Sequence, residues 1–239
     1  MGTALLASAA RRIEKKMGTL VTLIDIACGR PIPAEDTGRS RRLQLVVFSL
    51  LASLAFAAAW GLAAGSSSAG LAIANLYKVP MVVLMSCAFA APAGLLAWRL
   101  SGTRLRGSDL ALGFTGGVFG GTLVLAVFAP LVALYYHSSA WAGPVLGIGS
   151  VGLALLTGTI MFVRGVVRRL EPGTPKRTVL LPVAVTLGMQ LLTLVQLAAL
   201  ASPIFPERTI FGGGIDHLAQ SSHVTGPRTP VPAAAAAQE

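Results

Sequence analysis

Residues 110–136 read LALGFTGGVFGGTLVLAVFAPLVALYY, 27 consecutive positions without a charged side chain. As an α-helix rising ~1.5 Å per residue, this stretch is ~40 Å long, more than the ~30 Å hydrocarbon core of a bilayer. Four further segments share its character: 43–64, 79–98, 144–163 and 179–201, all free of Asp, Glu, Lys and Arg. Their ends are marked by charges, by Gly/Ser loops, or by Pro80, Pro144 and Pro182, read as standing in an opening turn where proline costs least. The fold class expected is an all-α membrane protein with five transmembrane helices.

Composition agrees. Of 239 residues, 54% are hydrophobic and 12% charged, against roughly 25% charged in a soluble domain. A water-soluble surface could not be covered with that supply. The division expected is a cytoplasmic basic helix and linker over 1–42, a five-helix domain over 43–201, and an extracytoplasmic tail over 202–239, disordered from about 212.

The net charge of +10 is unevenly placed. Arg11, Arg12, Lys15, Lys16, Arg30, Arg39, Arg41 and Arg42 precede the first span, Arg99, Arg104 and Arg106 follow the second, and Arg164, Arg168, Arg169, Lys176 and Arg177 follow the fourth. That side holds 16 basic residues; the other has Lys78, Arg208 and Arg228. Positively charged loops stay in the cytoplasm, so the expected orientation is N-terminus in and C-terminus out, in a cell inner (plasma) membrane. Trp60, Tyr77, Trp98, Tyr135, Tyr136 and Trp141 fall near the ends of spans, as amphipathic rings prefer. The whole net charge is cytoplasmic and needs no nucleic acid to explain it. The abundance of Arg, Ala and Gly fits a GC-rich bacterial genome.

Within the N-terminal segment, Leu6, Ile13, Met17, Leu20 and Ile24 recur at helical spacing, with Arg11, Arg12, Lys15 and Lys16 on the other face. The pattern predicts a basic amphipathic helix on anionic headgroups or on a protein partner.

Candidate chemistry is sparse. Gly147, Gly149 and Gly152 spell GxGxxG, but inside an apolar span, where no strand precedes the glycines, so the expectation is helix packing and no nucleotide cofactor. Gly113, Gly116, Gly117, Gly120 and Gly121 give the third span two small-xxx-small pairs, which predict close packing on the fourth span or on a second copy of the chain. Pro92 and Pro130 stand well inside their spans, where each removes a backbone hydrogen bond. Gln190 and Gln196 are the strongly polar side chains of the fifth span, expected to make interhelical hydrogen bonds or to line a polar path. No serine–histidine pair shares a membrane depth, and no carboxylate pair or HExxH occurs, so no catalytic residue is assigned. Cys28 and Cys87 have no metal-site spacing, and Asp216, His217 and His223 read as solvated tail residues, so no metal is expected.

Around the second span, Leu76-Tyr77-Lys78-Val79-Pro80-Met81 resembles the hydrophobic opening of multispan bacterial relatives of the Yip (Ypt-interacting protein) family. The likeness extends weakly over 43–211, and Lys78-Val79-Pro80 is its most specific motif. The resemblance implies a membrane-organising or adaptor protein without catalytic residues. The function expected is a non-enzymatic membrane scaffold; the alternative is a small transport component with a path near Gln190 and Gln196.

Overall fold

The structure, a computed structural model, describes residues 18, 21–22, 24–25, 38–102, 106–138, 142–170, 175 and 177–204. The described residues include five long helices: α1 (Arg39–Ala64), α2 (Ala69–Leu100), α3 (Gly107–Ser138), α4 (Ala142–Arg168) and α5 (Arg177–Leu200). All five are long and apolar enough to cross a membrane, and no strand occurs among the described residues. The chain is an all-helical, multi-pass membrane protein. Residues 1–17 and 205–239, with the amphipathic segment's Arg11, Arg12, Lys15 and Lys16 and the proposed tail, lie outside the described residues.

One boundary departs far from the sequence reading. α2 starts at Ala69, so Pro80 is not in an opening turn but twelve residues into the helix. Ala, Leu and Ile dominate residues 69–74 and are adequate helix formers, so Asn75 and Lys78 are carried inside the helix instead of marking a loop. The α1–α2 connection shrinks to four residues, 65–68. Pro182 is also inside its helix, in the second turn of α5. At the other end of α2, the chain turns through Gly102 at φ +60°, a left-handed conformation that favours glycine.

The helices pack in a definite order. α3 lies along α4, α1 along α3, α2 along α5, and α1 along α2, whereas α2 scarcely meets α3 and α4 scarcely meets α5. The bundle is thus an open arc, α5–α2–α1–α3–α4, with α1 in the middle. In lipid the apolar surfaces gain little by leaving one apolar medium for another, so close steric fit and interhelical hydrogen bonds must hold the arc.

The α3–α4 seam shows how. A Cβ added to Gly117 would stand 2.7 Å from the Gly158 carbonyl oxygen, and one on Gly121 would stand 2.8 Å from that of Ala154. Phe114 meets Phe162 edge to face one layer along, with centroids 5.8 Å apart. Between α1 and α3, Leu45, Leu112 and Phe119 form a buried cluster, extended by a tilted Phe56–Phe119 contact at 5.8 Å. The α1–α2 hairpin closes on Gly61, where a Cβ would sit 2.5 Å from the Asn75 carbonyl oxygen.

Candidate functional site

Polar and charged groups gather at three levels of the bundle. At the end where α1, α3 and α5 begin and α2 and α4 finish, Arg42 Nη1 donates to Asp109 Oδ1 and to Ser108 Oγ, each at 3.1 Å. This ties the start of α1 to the start of α3. Arg169, just past α4, turns inward: its Nη1 donates to the Gly165 carbonyl at 3.1 Å. The same nitrogen lies 3.4 Å from where a Gly113 Cβ would be, so two facing glycines make room for the guanidinium. Burial lowers the Arg169 pKa, an effect partly offset by Asp109 and reinforced by Arg42. Among the described residues, two cations thus share one carboxylate.

At mid-bundle, Gln190 Nε2 donates to Ser86 Oγ at 2.9 Å and approaches Cys87 Sγ at 3.9 Å, pinning α5 to α2. Ser86 Oγ in turn donates to the Val83 carbonyl. Gln190 also borders a cavity of about 120 Å³ where α4 and α5 stand apart, walled by Phe114, Gly117, Val151, Leu155 and Leu187. Gln196 is exposed on another face of α5. The two glutamines are therefore not brought together. Their spacing gave the hint: six positions turn a helix by about 600°, which leaves them some 120° apart.

Towards the opposite end, Trp60 Nε1 donates to Ser150 Oγ at 3.0 Å, linking α1 to α4. Nearer the arginine end, Ser49 Oγ donates to the Thr115 carbonyl at 3.0 Å. Asn75, wholly buried, donates through Nδ2 to the Ile204 carbonyl at 2.6 Å. That bond folds the chain leaving α5 back onto α2. Asn75 is the polar residue the sequence reading placed in a loop; a lone asparagine among apolar helix formers was the available signal.

The glycines divide sharply. Gly113, Gly116, Gly117, Gly120 and Gly121 are all buried, and Gly113, Gly117 and Gly121 meet α4 closely, with Gly120 against Met161. Of the GxGxxG glycines, Gly147 is buried, whereas Gly149 and Gly152 have nothing within 4 Å of an added Cβ. The motif does not thin one packing face as expected; Gly158, outside it, makes the close approach. Lys78-Val79-Pro80 lies within α2, with Val79 buried. Among the described residues no group of three His, Cys, Asp or Glu side chains could hold a metal ion. No family model, curated protein or solved structure matches the chain.

Proposed function

We propose that this chain is a non-enzymatic scaffold of a bacterial inner membrane, with a cytoplasmic N-terminus and an outer C-terminus, that anchors a protein partner through its basic first segment. Arg11, Arg12, Lys15 and Lys16 contact anionic headgroups or that partner. The reading is supported by one observation above others: several polar side chains at membrane depth bond within the bundle, Gln190 to Ser86 and Trp60 to Ser150 side chain to side chain, and Ser49 to the Thr115 carbonyl. Groups spent on internal bonds fix a bundle and leave little with which to carry a polar solute. The separation of Gln190 from Gln196 weakens the transport alternative, which needs both on one path. The Yip-like resemblance points to the same kind of membrane organiser.

The test is affinity purification of the full chain and of a variant lacking residues 1–30, each from its own membranes. Loss of a stoichiometric partner on deletion is the expected result. Retention of every membrane-dependent partner would refute the proposal. Reporter fusions at Gly102 and at the C-terminus check the orientation, which requires opposite sides.

A further inference from the structure

A second cavity, of about 270 Å³, lies between α1, α2 and α3 in the half of the bundle nearer the arginines. Val46 and Leu50 form one wall, Leu84, Ala88 and Leu95 another, and Leu110 helps close the floor. Its polar members turn away from it: Thr115 Oγ1 donates to the Ala111 carbonyl at 3.0 Å and Thr186 Oγ1 to the Pro182 carbonyl at 2.6 Å. An apolar cavity of ~150 Å³ is already large enough to stay dry and take a benzene-sized guest. In a membrane, the guest at hand is hydrocarbon.

The rim says which hydrocarbon. Each wall ends in an arginine four positions beyond its last cavity residue: Arg42 before Val46, Arg99 after Leu95, and Arg106 before Leu110. Four positions keep the same helix face and advance ~6 Å. Arg106 belongs to the α3 register, since Leu110 N–H donates to its carbonyl. Arg99 and Arg106 are exposed, and Arg42 is shared with Asp109. Among the described residues, three arginines and one carboxylate thus stand about one helical turn beyond the apolar slot. Trp98, beside Arg99, packs its ring where a Gly107 Cβ would be, 3.3 Å away, a placement suited to an interface.

We propose that this slot seats one anionic phospholipid, its acyl chain between α1 and α2 over α3 and its phosphate on Arg99 and Arg106 beside Arg42. The site does not depend on the scaffold reading, because it needs only that the helices cross a bilayer. Guanidinium forks suit phosphate geometry, and basic pockets between membrane helices on one side of a bilayer take anionic headgroups.

The test uses the full chain purified in detergent with equal phosphatidylglycerol and phosphatidylcholine, read by native mass spectrometry. Wild type retains one phosphatidylglycerol per chain, with about tenfold preference over phosphatidylcholine. Arg99→Gln with Arg106→Gln removes that preference, and Ala88→Phe, which plugs the exposed mouth, lowers retention of both lipids. Arg164→Gln with Arg168→Gln, on α4, leaves the preference intact. Equal retention of the two lipids by wild type would overturn the proposal. So would an equal loss in the α4 variant, unchanged retention in Ala88→Phe, or a dimer that carries no lipid. Circular dichroism and elution as a single species show that each variant is folded.

Discussion

Gly117 and Gly158 each present a carbonyl oxygen where the other's Cβ would be, at 2.7 and 2.9 Å. No real Cβ tolerates such distances, so α3 and α4 can approach this closely only while both positions are glycine. Gly117→Ala or Gly158→Ala is expected to cost ~1–3 kcal/mol, the usual range for overpacking. Thermal unfolding in detergent checks it, with Gly149→Ala as the control. That residue meets nothing, so its replacement should be neutral or mildly stabilising through helix propensity.

Among the described residues, Asp109 is the carboxylate that interacts with both Arg42 and Arg169. Asp109→Asn leaves two cations close together without a counter-charge and should lower stability by ~1–3 kcal/mol. Adding Arg169→Met to that variant should restore part of the loss, because it removes the cation that burial already disfavours. A double-mutant cycle, completed by the Arg169→Met single variant and wild type, measures the coupling. The Arg169 pKa is lowered on folding, so the folded state holds that proton less tightly. Stability linked to this group therefore rises with pH only in the strongly alkaline range; near neutrality it does not vary with pH, and the cost of burying the cation is fully present.

Gln190→Leu and Gln196→Leu should differ, although sequence alone treats them alike. Gln190 loses its bond to Ser86, at a cost of ~0.6–2 kcal/mol typical of interhelical hydrogen bonds in membranes. Gln196 is exposed, so its replacement should be neutral or stabilising in lipid. Unfolding measured for both variants in the same detergent separates them, and equal costs would contradict the geometry.

Asn75→Ala removes the donor that holds the Ile204 carbonyl. Hydrogen exchange at residues 201–204 should then rise markedly, while exchange along the α3–α4 seam stays unchanged.

These cases show what was legible in the sequence. Five uncharged blocks were enough for five helices, because a bilayer demands length and apolarity and little else. The α3 glycines were visible as small-xxx-small pairs, and in the structure Gly117 and Gly121 lie against the α4 backbone. The start of α2 was hidden because Lys78 looks like the edge of a span, yet a lysine near an interface can lie in a helix and extend its amine towards water. The GxGxxG glycines misled because spacing says which residues share a face, not whether a neighbour stands there. The pairing of α2 with α5 was invisible: residues 104 positions apart, Ser86 and Gln190, carry no local mark of each other.

That last pairing bears on how the chain is made. A ribosome delivers α2 early and α5 last, with two whole helices inserted between them. Until α5 arrives, Ser86 lacks its glutamine and Asn75 lacks the Ile204 carbonyl, so α2 waits in the membrane with polar groups uncovered. A chain cut short before residue 177 would keep the α1–α3–α4 seams and still expose that unfinished side of α2. That side of α2 therefore distinguishes a chain that carries α5 from one that lacks it.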